Sequence, residues 1–156
     1  MRARILFPCT LGLLVLAGQV FAEAPADLEQ RVRRFVEDAN RRDIEAVLAQ
    51  VTPGFRWMEV EEDRVRVEVV GREQLRSWLE GYFRTTPGAR SSLGEVIVDG
   101  AFVSAVEVAE YPDASGTLRR LASTSVYQFN PDGLIRNVWY FPARELAAAA
   151  SPAQAP

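Results

Sequence analysis

Val126-Tyr127-Gln128-Phe129-Asn130-Pro131-Asp132-Gly133-Leu134-Ile135-Arg136-Asn137-Val138-Trp139-Tyr140-Phe141 reads as a strand, a turn and a strand. Alternation supplies the strands, and Asn-Pro-Asp-Gly supplies the turn between them. Upstream lie Leu118 to Phe129, Ala101 to Tyr111 and Leu93 to Val98, with Asp99-Gly100 as a hairpin signal between the last two. Further upstream the apolar period changes. Leu28, Val32, Phe35, Val36 and Ala39 recur at helical spacing after Asp27, as do Ile44, Val47, Leu48 and Val51 after the capping residue Asp43. Thr52-Pro53-Gly54 is expected to stop that second helix. Phe55 to Val60 alternates, Glu61-Glu62-Asp63 is a turn, and Val65, Val67 and Val69 mark another strand. A third helix over 72–84 aligns Leu75, Trp78, Leu79, Tyr82 and Phe83. Helices first and hairpin-linked strands after them define an α+β domain, with helices on one face of an antiparallel sheet.

At 156 residues the chain is one domain by length. Arg2 and Arg4, the apolar run Ile5 to Ala17 and the small-residue end Val20-Phe21-Ala22 have the pattern of a signal peptide over 1–22. The run is about 13 residues, too short for a permanent span. Export to the periplasm or the medium is therefore expected, with no stable membrane anchor after processing. The single cysteine, Cys9, would leave with the signal, so no disulfide is expected in the mature protein. Ala147 to Pro156 is rich in Ala and Pro, and a disordered tail is expected over 143–156.

All 18 basic residues are arginine, and histidine is absent. That removes histidine triads, histidine-held metals and lysine Schiff bases. No metal and no cofactor is expected. Formal net charge is −3, and without Arg2 and Arg4 it is −5, from 16 arginines against 21 acids. That sign argues against nucleic acid as a partner.

The order of elements, with Asp43-Ile44-Glu45-Ala46-Val47-Leu48, Phe55-Arg56-Trp57-Met58-Glu59 and Gly71-Arg72-Glu73-Gln74-Leu75 ahead of the final strand pair, resembles the nuclear transport factor 2-like superfamily. This superfamily includes ketosteroid isomerases and SnoaL-like polyketide cyclases, and the resemblance covers about residues 28–142. It implies a cone: a strongly bent sheet wrapped around three helices, with a pocket at its open end, here a domain over 23–142. Matched to ketosteroid isomerase, the catalytic base falls on Glu59, one oxyanion donor on Phe35 and the other on Ser125. Phe35 donates nothing and Ser125 is a weaker donor. Losing one such donor costs about 2.7–4 kcal/mol of barrier, which argues against steroid isomerisation itself.

Glu59 shares a strand face with Phe55 and Trp57, so inward aromatics would carry an inward carboxylate of raised pKa. The competing reading makes it the solvated start of the acidic turn. Phe35, Trp57, Trp78, Tyr82, Ser125, Tyr127, Val138 and Tyr140 are the expected ligand-binding residues. Matching also turns Trp139 and Phe141 outward, which implies a homodimer through the outer sheet face. Three functions follow. The first is an exported domain holding a small apolar molecule, the second a cofactor-free isomerase, cyclase or dehydratase using Glu59, and the third a non-catalytic dimer.

Overall fold

The structure is a computed structural model and describes residues 25–146. The expected signal peptide, with Cys9, and the last ten residues of the expected tail lie outside the described residues. Three helices, α1 (Pro25–Asn40), α2 (Ile44–Ala49) and α3 (Gly71–Thr85), accompany seven strands. The strands are β1 (Val51–Glu61), β2 (Arg64–Val70), β3 (Arg90–Asp99), β4 (Phe102–Pro112), β5 (Leu118–Phe129), β6 (Ile135–Tyr140) and β7 (Arg144–Glu145). They form one sheet in the order β2-β1-β6-β5-β4-β3, with β7 added beside β5. The α+β cone read from the sequence is the observed architecture.

One strand pair departs from the expected antiparallel pattern. β1 runs parallel to β6, with Trp57 beside Val138 and Glu59 beside Tyr140. The second helix ends at Ala49, before the expected stop, so Val51 belongs to β1 and Thr52-Pro53-Gly54 lies inside that strand. Val51 pairs with Ile135 and Arg56 with Asn137, so the Pro-Gly step is bulged out within the strand. Register shifts between Leu93 and Val96 in β3, and between Gln128 and Phe129 in β5, interrupt the ladders further on. Each one increases local twist and helps the sheet to curl over the helices.

The helices fill the concave face. Leu28, Val32, Phe35, Val47, Leu48, Leu75 and Leu79 pack against Phe55, Val69, Val103, Phe129, Ile135 and Val138 in one core. Burying side chains of this size contributes about 1.5–3 kcal/mol each. Asp43 caps α2 as its position predicts, accepting from the Ala46 amide at 3.0 Å. α1 starts two residues before Asp27, which places that acid in the first turn, where the helix dipole favours it.

Two local devices set the site. The Asn40 side chain clamps β3 through both its atoms, donating to the Ser91 carbonyl at 2.7 Å and accepting from the Ser91 amide at 2.8 Å. At the other end of the helical layer, the Gly71-Arg72 step locks α3 to β1. Arg72 donates through Nε (3.0 Å) and Nη2 (2.5 Å) to the Val51 carbonyl. Gly71 has φ +80°, and a Cβ there would lie 3.2 Å from the Pro53 carbonyl oxygen. The positive φ favours glycine, and the close carbonyl adds to the cost of any side chain there.

The ordered domain also extends beyond the expected boundary at 142. Arg144–Glu145 pairs with Leu121 and Ala122, which folds Ala143 back towards the interior.

Candidate functional site

Inward alternation along three neighbouring strands builds the site. β4 turns Val103, Ala105 and Glu107 inward, and all three are buried. Pairing sets Val103 beside Tyr127 and Ala105 beside Ser125 on β5, and then Tyr127 beside Val138 and Ser125 beside Tyr140 on β6. These side chains therefore share one face. Between them, α1 and α3 they leave a cavity of 230 Å³.

Its walls are almost wholly apolar. Phe35, Val36 and Ala39 come from α1, Trp78, Leu79, Tyr82 and Phe83 from α3, and Trp57 and Tyr140 from the sheet. The rings form a continuous series: Tyr140 stacks on Trp57 at 4.8 Å, Trp57 meets Trp78 at 4.7 Å, and Trp78 stacks on Tyr82 at 5.1 Å. Offset ring contacts of this kind add about 0.5–1.5 kcal/mol beyond area burial and make a rigid wall.

Glu107 is the single ionisable carboxyl in that lining, and the sequence reading missed it. It is 8 % exposed. Tyr140 donates to its Oε2 at 2.9 Å and Tyr127 to the same oxygen at 3.1 Å. The two tyrosine oxygens lie 3.3 Å apart. Burial pushes the Glu107 pKa above the ordinary 4.5, and hydrogen bonds from Ser91, Tyr140 and Tyr127 oppose that rise without cancelling it. Burial, and then the neighbouring carboxyl, push both tyrosines well above their ordinary value. Three titratable groups thus converge on one point at the inner end of an apolar chamber, an arrangement suited to holding or moving a single proton.

Of the expected ligand-binding residues, Phe35, Trp57, Trp78, Tyr82 and Tyr140 line the cavity. Ser125, Tyr127 and Val138 face the same way but are fully buried in the layer behind the wall. Ser125 Oγ is directed at the Ala105 carbonyl at 3.5 Å, and Tyr127 reaches the site only through its hydroxyl.

Glu59 is not the buried base that its strand face implied. It does share that face with Trp57, but it lies two residues further along β1. Its side chain is 41 % exposed and pairs with Arg66 across the β1–β2 hairpin at 2.5 Å. It borders an outer depression of 430 Å³, with Glu61 and Glu62, that adjoins the cavity through Trp57, Ser123, Tyr140 and Ala143. Exposed pairs contribute little. Glu59→Gln is therefore expected to change unfolding free energy by less than about 0.5 kcal/mol, measured by urea denaturation. A larger change would restore a structural role for it.

Fold and cavity together define a cone-shaped α+β domain of the nuclear transport factor 2-like kind. The chain belongs to the SnoaL-like domain family, which matches residues 32–138. No curated protein matches the sequence significantly. Among solved structures, an uncharacterised cystatin-fold protein from Novosphingobium aromaticivorans aligns with TM-score 0.64 and 18% identity over 74% of this chain and 97% of its own. SalBIII, an epoxide hydrolase/cyclase-like enzyme of pyran ring formation in salinomycin, aligns with TM-score 0.63 and 20% identity over 74% and 90%. AclR, a putative hydroxylase from Streptomyces galilaeus, gives TM-score 0.61 and 14% identity over 75% and 79%. At these identities the likeness concerns the fold.

Proposed function

We propose that this domain holds a small, flat, largely apolar molecule in its cone and anchors one polar group of that molecule on Glu107. The observation that carries the proposal is the 230 Å³ chamber whose aromatic wall ends at one buried carboxyl. Binding sites commonly combine an apolar lining with a few placed polar groups in this way. Export, expected from residues 1–22, belongs to the same proposal and would make the ligand one met outside the cytoplasm.

Tryptophan fluorescence gives a direct test, because Trp57 and Trp78 line the chamber while Trp139 lies on the opposite sheet face. Titration with a panel of one-ring and two-ring aromatics is expected to give a saturable change with at least one of them. Ala109→Phe, which places a ring inside the chamber, is expected to abolish it. A panel without any saturable response, or a response unchanged in Ala109→Phe, would overturn the proposal.

A second reading is a cofactor-free isomerase, cyclase or dehydratase, and here Glu107 takes the part first expected of Glu59. Its raised pKa and its tyrosine partners favour this reading, since a carboxyl titrating nearer neutrality is the better acid–base catalyst. The description of SalBIII as epoxide hydrolase/cyclase-like is compatible with such chemistry on this fold. A homodimer through the outer face around Trp139 and the 40 % exposed Phe141 is proposed alongside either reading.

A further inference from the structure

The hydrogen bonds at Glu107 have a direction, and it bears on which ligands the chamber accepts. Both tyrosine hydroxyls donate to Glu107, and both to Oε2. Ser91 adds a third hydrogen bond to the carboxyl, the Tyr127 and Tyr140 protons are already committed, and with two lone pairs on each oxygen the carboxylate keeps acceptor capacity at Oε1. The inner end of the chamber is thus an acceptor pole. At Glu107 it complements a ligand that donates, and an ionised carboxyl there repels a ligand carboxylate.

Charge narrows the choice further. The groups facing Glu107 are Ser91 from β3, Tyr82 from α3, Tyr127 from β5 and Tyr140 from β6, and none of them is basic. α1 contributes only Phe35, Val36 and Ala39 to the lining. No arginine lines the chamber or the outer depression beside it among the described residues. Among the described residues no arginine pairs with Glu107; Arg42, the basic group that acts on Tyr82, is bound to the Phe83 and Pro87 carbonyls, and a buried carboxylate is costly unless a cation accompanies it. A ligand that brings a cation removes that cost, and the electron-rich ring faces of the wall also attract positive charge.

We propose that the ligand of this chamber is a small apolar amine, bound as its ammonium ion on Glu107 with its hydrocarbon body along the Tyr140–Trp57–Trp78–Tyr82 wall. This rests on the binding reading above and adds the ligand class to it. The ion pair forms from two charged partners, so affinity follows the product of ionised Glu107 and protonated amine. It rises with pH as Glu107 ionises and falls again where the amine loses its proton.

Three probes of similar size and different charge test this on the full purified chain by calorimetry: benzylamine, benzyl alcohol and benzoate. At about pH 8 the amine is expected to bind at least about tenfold more tightly than the alcohol, a difference well within that of a charge-assisted hydrogen bond, and benzoate more weakly than both. The amine's preference over the alcohol should shrink at about pH 4, below the ordinary 4.5, where a carboxyl of raised pKa carries its proton. Glu107→Gln should retain the alcohol and lose the preference for the amine. Should that variant not fold, the change in the amine-to-alcohol ratio between the two pH values decides alone. Alcohol binding equal to or tighter than amine binding, or a preference that survives in Glu107→Gln, would overturn the amine proposal and leave the chamber a binding site. Failure of all three probes to bind would count against the binding reading itself, and against this inference with it.

Discussion

Glu107→Gln should unfold at a higher temperature than the parent protein at about pH 8 and at nearly the same temperature at about pH 4. Burial raises the folded-state pKa of Glu107 above the ordinary 4.5, close to the value it takes on unfolding. For an acid whose folded pKa is raised, the associated stability is fully present below the unfolded pKa. It is lost as pH climbs from there through the folded pKa. Each unit of difference costs about 1.4 kcal/mol on the alkaline side. Glutamine keeps the shape and an acceptor for the tyrosine hydroxyls but never ionises, so it escapes that loss. Comparing variant with parent at each pH removes what the rest of the chain contributes. Thermal unfolding of both proteins at the two pH values measures the effect, with the gain expected at the higher pH and little difference at the lower. An equal difference at both would mean that the carboxyl is hydrated in the folded protein.

That Glu107 escaped the sequence reading has a physical cause. The strand over Phe102–Pro112 offers two faces, one with Val103, Ala105, Glu107 and Ala109, the other with Ser104, Val106, Val108 and Glu110. Each face carries small or branched apolar residues and one glutamate, so alternation cannot choose between them. The choice is made by pairing with Ser125 and Tyr127, far along the chain. Glu59 illustrates the converse. Its face was legible, but the distance to which the helices cover that face was not, nor was its cross-strand partner Arg66. Ser125, Tyr127 and Val138 likewise point inward as read, and depth within the layer separates them from Trp57 and Tyr140. Local signals did well where chemistry is local: the Asp43 cap, the polar turn at 61–63 and the Asn130–Gly133 turn all form. They missed that the second helix ends already at Ala49 and that a parallel partner some eighty residues away carries β1 from Val51 through Pro53-Gly54.

Tyr127 is where packing and site chemistry meet, and two substitutions separate them. The residue is fully buried, its ring meets Phe35 edge-on at 6.1 Å, and its hydroxyl donates to Glu107 at 3.1 Å. Tyr127→Ala removes the ring and leaves a cavity beside Phe35 and Val103, so a loss of about 3–5 kcal/mol is expected, a large fraction of the stability of a domain. Tyr127→Phe keeps the ring and removes only the donor, for a loss of about 1–2 kcal/mol. The two losses should also differ in their pH dependence. The Tyr127 hydroxyl favours the ionised form of Glu107, so removing it raises the Glu107 pKa further. Tyr127→Phe should consequently cost more at about pH 8 than at about pH 4, because only the ionised carboxylate misses the donor strongly. Urea unfolding of both variants at the two pH values reads out each part. A Phe variant with the same loss at both would show that the hydroxyl does not serve the carboxylate. An Ala variant no worse than Phe would show that the ring is not held in the core. The expected pattern, a large pH-independent packing loss combined with a smaller pH-dependent one, would establish that one tyrosine both seals the floor of the chamber and holds its acid in place.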